Sequence, residues 1–184
     1  MDTSVLEIIG STLAILYLGL VGLRRWIAWP AYIVSSVCYI PIFWRSHLYC
    51  DAALQIFFVA MGLWGWVTWR SAGGVITPIT WTGPQHRIAA IVWVCGTVVI
   101  GSILMNSAAG GFAFPDAFIM VGSVIATFMT LGRVVENWWY WVIINLTAVI
   151  TYGLKELWVT VGLYGVYSIL SVWGLMAWRR AQAR

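Results

Sequence analysis

The stretch VLEIIGSTLAILYLGLVGL at Val5–Leu23 decides the fold class. Almost all of its side chains are apolar, and its one charged residue, Glu7, lies near its start. A helix needs roughly 17–25 residues to cross a bilayer, so this stretch is long enough to span a membrane. It is too long for the apolar core of a signal peptide and has no basic residue before it. We therefore expect a transmembrane helix of the mature protein.

Six further apolar runs follow along the chain. They are Trp29–Phe43, Ala52–Val67, Ile88–Leu104, Ala117–Leu131, Trp139–Leu154 and Leu157–Met176. None shows the strict alternation of polar and apolar residues that is typical of an outer-membrane barrel. The runs predict an all-α integral membrane protein with seven transmembrane helices.

The composition supports this fold class. Only 9% of the 184 residues are charged, whereas soluble domains carry about 25%. The chain has 14 tryptophans, and Trp concentrates where lipid tails meet headgroups. The net charge of +4 comes from basic residues placed singly or in pairs at helix ends, whereas a nucleic-acid surface needs them clustered on one face. We expect a lipid bilayer and no nucleic acid as the surroundings of this chain.

The basic residues also predict the orientation. With seven helices, Arg45 and Lys155 lie on one side of the membrane, and eight arginines lie on the other. Those eight are Arg24, Arg25, Arg70, Arg87, Arg133, Arg179, Arg180 and Arg184. Because positive residues accumulate on the cytoplasmic side, we expect a multi-pass protein of the inner (plasma) membrane. Its N-terminus would be outside and its C-terminus cytoplasmic.

An internal repeat emerges when the chain is shifted along itself. A shift of 112 positions matches Gly10 with Gly122, Ser11 with Ser123, Ala14 with Ala126, Trp26 with Trp138, and Trp29 with Trp141. A shift of 109 then matches Gly65 with Gly174 and Trp69 with Trp178. Chance matches of Gly and Trp are rarer than those of Leu or Val. We predict three-helix repeats in residues 1–70 and 115–184, with a linker helix in residues 71–114.

The number of helices in a repeat determines the direction of the second copy. Three is odd, so a linker helix is needed for both copies to run the same way through the membrane. Such parallel repeats are a known transporter plan, with the substrate bound near the midplane between the halves. At the start of the second repeat, Pro115 and Asp116 precede the helix, and we expect Asp116 to cap it.

Five residues are candidates for substrate binding. Trp138, Trp141 and Asn145 share one face of the sixth helix by their spacing, and Asn145 lies about 10 Å deeper than Trp138. An amide at that depth is costly unless paired, so Trp141 and Asn145 indicate an aromatic plate with an amide beside it. Gln55 and Tyr164 could hydrogen-bond or stack on a substrate. Interhelical hydrogen bonds for the amides and interface positions for the aromatic residues are the competing interpretations.

The sequence favours a transporter over an enzyme. No nucleophile, base and orienting group can be assembled within the helices, and no set of metal ligands is present, so we expect neither catalytic residues nor a cofactor. All six acids lie at or near helix ends, whereas ion-coupled carriers often place one mid-membrane. Facilitated diffusion is therefore expected. A membrane scaffold or sensor subunit is a lower-ranked alternative.

The segment Val135–Asn145, with sequence VENWWYWVIIN, resembles the signature of the PnuC family of vitamin transporters, W-x-x-W-x-x-x-N/D on helix 6. The segment Leu48–Trp69 resembles the third helix of that family, and Phe114–Asp116 resembles the entry to its fifth helix. The resemblance implies a 3+1+3 fold similar to that of the SWEET sugar transporters, in reversed orientation. It also implies that Trp138, Trp141, Asn145 and Gln55 bind the substrate.

The resemblance further implies uptake of nicotinamide riboside by facilitated diffusion, followed by trapping through a cytosolic kinase that phosphorylates the substrate. Relatives in this family carry thiamine or riboflavin. Some nicotinamide riboside transporters have Asn at two positions that hold Gly62 and Trp173 here, so thiamine and riboflavin stay open as substrates. The sequence does not decide between a monomer and a homo-oligomer.

Overall fold

The structure, a computed structural model, describes residues 3–45, 49–73, 75–105 and 110–183. Arg184, one of the basic residues used to predict the orientation, lies outside them. The described part of the chain is all-helical, as expected. Its seven α-helices are α1 (Thr3–Gly22), α2 (Ala28–Arg45), α3 (Tyr49–Ser71), α4 (Gly83–Leu104), α5 (Ala113–Leu131), α6 (Asn137–Leu154) and α7 (Trp158–Gln182). A short 3₁₀ helix at Gly110–Phe112 precedes α5.

Five of these helices are long and apolar enough to cross a membrane, namely α1, α3, α4, α5 and α7. The other two, α2 and α6, have 18 residues each and do not reach the mean hydropathy of such a span. Their buried side chains include Ser35 and Ser36 on α2, and Asn137, Asn145 and Thr151 on α6. The helices with the weakest hydropathy signal therefore carry polar groups in the interior of the protein.

Two helix starts differ from the sequence expectation. Helix α4 begins before the apolar run at Ile88 because Thr82 and Gln85 form a capping box, in which the Thr82 backbone N–H donates to Gln85 Oε1 at 2.7 Å. We expected Asp116 to cap α5. It does not, because the helix already begins at Ala113. Both Asp116 carboxylate oxygens instead accept from Lys155 Nζ at 3.0 Å.

The chain divides into two compact units, Met1–Thr77 and Pro78–Arg184. In the first unit, α2 packs against both α1 and α3. In the second, α5 packs against α4 and α6, and α6 also packs against α7. The helix predicted to link the repeats, α4, therefore packs within the second unit.

A cluster of two tryptophans and a glycine joins α2 to α3. The Trp29 ring is fully buried and lies directly over Gly65, where an added Cβ would overlap the indole. Trp69 meets the same indole edge-on, with ring centroids 5.2 Å apart and an interplanar angle of 88°. Only a glycine lets the two helices approach this closely, so Gly65 is a requirement of the packing.

The same cluster recurs between α6 and α7. Trp138 is fully buried over Gly174, and Trp178 meets it edge-on at 5.5 Å and 85°. Each of its members matches its counterpart in the first cluster at a shift of 109. The local geometry thus pairs Trp29 with Trp138, and the alignment of Trp26 with Trp138 at a shift of 112 was wrong.

The shift of 109 extends beyond these clusters. It separates the end of α1 from that of α5, both ends of α2 from those of α6, and the start of α3 from that of α7. In each α1–α2 or α5–α6 turn an arginine has positive φ, Arg24 at 60° and Arg133 at 63°. A left-handed non-glycine residue is uncommon, so its recurrence at matched positions identifies the same turn in both segments. No gap is needed in this alignment.

Candidate substrate site

The first candidate residue on α6, Trp138, lies inside the helix packing. Its side chain is 0% exposed because Gly174 and Trp178 of α7 cover the ring. Its indole nitrogen has no hydrogen-bond partner within the described residues, and the same is true of Trp29. The ring therefore fixes α6 against α7, and its faces are occupied by protein.

Trp141, one turn further along α6, is only partly buried. Its indole N–H donates to Thr130 Oγ1 on α5 at 3.2 Å. Thr130 is itself buried, and its hydroxyl lies 2.8 Å from the Ala126 carbonyl and 3.0 Å from Asn137 Oδ1. The Asn137 amide nitrogen donates to the Val134 carbonyl, which leaves Oδ1 as the acceptor. This chain of hydrogen bonds holds the Trp141 indole in one orientation while part of the ring stays accessible.

Asn145 follows Trp141 by one further turn and is only 3% exposed. Its amide nitrogen donates to Ser171 Oγ on α7 at 3.2 Å. Ser171 is fully buried, and its hydroxyl donates to the Tyr167 carbonyl at 2.7 Å. The amide that would be costly alone in the membrane is thus partly paired by a neighbouring helix.

The remaining two candidates lie on α7 and α3. Tyr164 is partly buried and stacks on Tyr152 of α6, with centroids 5.3 Å apart and an interplanar angle of 29°. Tyr167 meets Tyr164 edge-on at 5.6 Å. Gln55 is partly buried on α3 of the first unit. The shift of 109 also relates Gln55 to Tyr164, so they occupy matched positions in the two segments.

Three polar residues of this arrangement were not among the candidates from sequence. Thr130, Asn137 and Ser171 bond to the candidate residues or to one another. Hydroxyl groups in helices commonly bond their own backbone, so Thr130 and Ser171 gave no signal of their own. Asn137 stands next to Trp138 at the start of α6, where an amide is ordinary. Its burial at 0% exposure could be read only from the structure.

The structure also shows what surrounds Gly62 and Trp173, the two positions at which some nicotinamide riboside transporters carry Asn. At Gly62 an added Cβ would lie 2.6 Å from Ile33 Cγ1, so a larger side chain requires Ile33 to move. Trp173 is 36% exposed and borders an apolar groove of about 390 Å³ between α6 and α7. A second groove of about 530 Å³ lies beside the start of α5 and includes Thr97, Thr147 and Thr151.

Comparison with known proteins decides the family. The family model described as nicotinamide mononucleotide transporter matches residues 4–180, nearly the whole chain. The chain belongs to the nicotinamide mononucleotide transporter family. It is therefore a membrane transporter and not an enzyme, and the resemblance to PnuC proteins is confirmed.

Two curated members of this transporter family show how substrates differ within it. The riboflavin/roseoflavin transporter RibM of Streptomyces davaonensis is 28% identical, over 94% of this chain and 83% of its own. The nicotinamide riboside transporter PnuC of Escherichia coli is 25% identical, over 96% of this chain and 86% of its own. The names of these two relatives give different vitamins, although their sequence identities to this chain are nearly equal.

A solved structure of the family gives the fold. The crystal structure of the vitamin B3 transporter PnuC matches 98% of this chain and 83% of its own, with a TM-score of 0.81 and 20% sequence identity. At that identity the likeness establishes the helical architecture, and the substrate has to be argued from the residues of this chain.

Proposed function

We propose that this protein takes up nicotinamide riboside across the plasma membrane by facilitated diffusion. The observation that carries the proposal is the pair formed by Trp141 and Asn145. A partly accessible indole held by Thr130 stands one turn from a buried amide held by Ser171. A flat ring can stack on the indole, and the amide can bind a polar edge or a ribose hydroxyl.

The other candidate residues have complementary roles in this proposal. Gln55 and Tyr164, at matched positions in the two segments, supply further polar and aromatic contacts to the vitamin. Trp138 supports the site by fixing α6 against α7, since its own ring is covered. The substrate is the only small molecule that the site requires.

Riboflavin is the second candidate substrate, and a specific observation favours it. The identity to RibM, 28%, slightly exceeds that to the nicotinamide riboside transporter. In addition, Gly62 and Trp173 replace the Asn residues that some nicotinamide riboside transporters carry. Thiamine uptake by the same fold is the third candidate. All three vitamins present a flat ring and a polar edge.

The architecture that we propose is a 3+1+3 arrangement of two parallel repeats that resembles SWEET transporters. Its repeats are 1–70 and 115–184, with the linker helix in 71–114, and all seven helices span the membrane. The shift of 109 between matched turns, clusters and helix ends supports the repeat. Eight arginines against Arg45 and Lys155 support a cytoplasmic C-terminus and an external N-terminus. A reporter fused to each end should give opposite locations, and matching locations would exclude seven spans.

Transport in this proposal needs no ion gradient, because no acid lies in the middle of an apolar run. A cytosolic kinase that phosphorylates the vitamin would trap it, and this partnership is functional rather than physical. The protein would act as a monomer or as a homo-oligomer, since each chain carries its own site.

The proposal is tested by thermal stabilisation and binding with purified protein and a panel of nicotinamide riboside, riboflavin and thiamine. A ligand at 100 times its Kd stabilises the folded state by about 2.7 kcal/mol. We expect Asn145→Leu and Trp141→Ala to fold and to bind roughly 5- to 150-fold more weakly, since a lost contact in a dry pocket costs about 1–3 kcal/mol.

Trp139→Ala is the matched control, because Trp139 is 45% exposed on another face of α6. Binding by Asn145→Leu and Trp141→Ala equal to that of the parent would place the site elsewhere. Failure of the parent to bind any of the three vitamins would refute the proposed function.

A further inference from the structure

The orientation of the Asn145 side-chain amide determines what the site can recognise. One end of an amide donates hydrogen bonds and the other accepts them, yet the two ends have nearly the same shape. The orientation must therefore be derived from the partners of the amide. For Asn145 the partner is Ser171 Oγ, at 3.2 Å from the amide nitrogen.

The Ser171 hydroxyl has a single proton and two neighbours that compete for it. The Tyr167 carbonyl oxygen lies 2.7 Å from Oγ, which is ideal for a donated bond, whereas the contact with Asn145 is longer, at 3.2 Å. A carbonyl can only accept, so the proton points at Tyr167. Ser171 Oγ is then an acceptor toward Asn145, and it must face the NH₂ end of the amide.

From this geometry we propose that Ser171 is a specificity-determining residue that orients the Asn145 amide so that Oδ1 faces the substrate. The inference rests on the proposed function, in which Asn145 binds the vitamin. Ser171 touches no substrate itself and acts through Asn145, so it is a positioning residue. Because Asn145 is 3% exposed and Ser171 is fully buried, water does not compete for this bond.

The consequence is a rule for the ligand. An oriented Oδ1 accepts a hydrogen bond, so the matching group on the vitamin is a donor, such as a ribose hydroxyl, an amino group or an amide N–H. A site built around a hydrogen bond rejects analogues that lack the matching group, because its own buried atom is left unpaired. The preference for a donor at this point is thus set by a residue on α7.

The segment α1–α3 has no serine and asparagine pair at the matched positions. The position matched to Ser171 is Gly62, and the position matched to Asn145 is Ser36. Ser171 is also distinct from its neighbour Ser168, whose hydroxyl donates to the Tyr164 carbonyl at 2.9 Å in the same manner. Ser168 borders the apolar groove between α6 and α7. Ser168→Ala therefore removes an equivalent backbone contact from the same helix without affecting Asn145.

The experiment measures Kd ratios for matched ligands with the parent, Ser171→Ala and Ser168→Ala. Nicotinamide riboside is compared with its 2′-O-methyl and 3′-O-methyl ethers, which each lose one hydroxyl donor, and with nicotinic acid riboside, in which an acceptor replaces the amide donor. Riboflavin is compared with 3-methylriboflavin, and thiamine with oxythiamine. A general loss of stability weakens both ligands of a pair, whereas reorientation of the amide changes their ratio.

We expect the parent to bind at least one donor-lacking analogue about 5- to 150-fold more weakly than the vitamin. In Ser171→Ala the amide can turn its NH₂ end to the ligand, so this ratio should fall at least about threefold. Ser168→Ala should keep the parent ratio. An unchanged ratio in Ser171→Ala, or a parent that discriminates against no analogue, would overturn the role of Ser171. A parent that binds none of the vitamins would instead overturn the proposed function itself.

Discussion

The segment α1–α3 and the segment α5–α7 share their packing but differ in their polar side chains. Both have a tryptophan over a glycine with a second tryptophan edge-on, and both have an arginine with positive φ in the first turn. At the positions matched by the shift of 109, however, four buried polar residues of the second segment have apolar or smaller counterparts. The pairs are Thr130 with Val21, Asn137 with Ala28, Asn145 with Ser36, and Ser171 with Gly62.

This difference separates what the fold needs from what transport needs. The first segment forms the same helices and the same aromatic cluster without Thr130, Asn137 or Asn145, so those polar groups are not required for the packing. Buried polar groups cost free energy even when paired. Their presence in only one segment indicates a role beyond folding, and it is in this segment that the proposed site residues Trp141 and Asn145 lie.

The largest expected effect tests the shared packing. Gly65→Ala and Gly174→Ala add a Cβ that would overlap ring atoms of Trp29 and Trp138, respectively. Overpacking of this kind costs about 1–3 kcal/mol, so both variants should melt at lower temperature than the parent in detergent. The two losses should be similar, because the clusters are equivalent.

Two other glycines, one in each segment, serve as controls. Gly19 on α1 and Gly165 on α7 have no heavy atom within 4 Å of an added Cβ. Alanine is the better helix former by about 1 kcal/mol, so Gly19→Ala and Gly165→Ala should keep or raise the melting temperature. If Gly174→Ala behaved like Gly165→Ala, the packing described for Trp138 would be incorrect.

An intermediate effect is expected when the second segment is made to resemble the first. Thr130→Val introduces the residue found at the matched position, Val21, and removes the acceptor for the Trp141 indole N–H. A net hydrogen bond is worth about 0.5–1.5 kcal/mol, which corresponds to roughly 2- to 13-fold weaker vitamin binding. Isothermal titration of the purified variant with the vitamin that the parent binds measures this change.

Thr127→Val is the control for that substitution. Thr127 is also buried on α5 and also donates to a backbone carbonyl, that of Ser123 at 2.7 Å, but it bonds no candidate residue. It should leave the affinity near that of the parent, and Thr130→Ser, which keeps the hydroxyl, should do the same. Equal losses in Thr127→Val and Thr130→Val would show that the indole is not held through Thr130.

The smallest effect is expected at an ion pair of the second segment. Lys155 and Asp116 form an ion pair with side chains 25% and 29% exposed. The matched position to Asp116 is also acidic, Glu7, but the one matched to Lys155 is Ser46, which lies outside the described residues. Pairs near the surface contribute about 0–1 kcal/mol, so Asp116→Asn should lower the melting temperature slightly and less so at high salt. A large loss that salt does not alter would mean that Asp116 has another role.

The helices could be predicted from the sequence because each one is a long apolar run. Matches between the two segments could also be found in the sequence, since tryptophan and glycine matches are rare by chance. Their register was wrong over α1 and α2, because at a shift of 112 both Trp26 and Trp29 fall on a tryptophan, Trp138 and Trp141, whereas at 109 only Trp29 does. The ring that lies over the glycine, the arginines with positive φ and the helix ends all favour the shift of 109.

The site could be predicted only in part. Trp141 and Asn145 became candidates because polar and aromatic residues at helical spacing are conspicuous in an apolar run. The covering of Trp138 by Gly174 depends on a different helix, α7, and periodicity within α6 contains no information about it. The hydroxyl groups of Thr130 and Ser171 each form one hydrogen bond within their own helix and one with a side chain of α6. Their part in holding Trp141 and Asn145 therefore depends on contacts between helices, which the sequence does not show.

If the polar residues of α6 make this chain a vitamin uniporter, as we propose, purified protein in proteoliposomes should take up the vitamin by itself. Labelled nicotinamide riboside, riboflavin and thiamine are supplied in turn to vesicles that contain the parent, Asn145→Leu or Trp139→Ala. We expect the parent and Trp139→Ala to equilibrate one vitamin without a proton or sodium gradient, and we expect Asn145→Leu to be slower at subsaturating substrate by roughly its loss in affinity. Equal uptake by Asn145→Leu and the parent, or uptake that requires an ion gradient, would contradict the proposal.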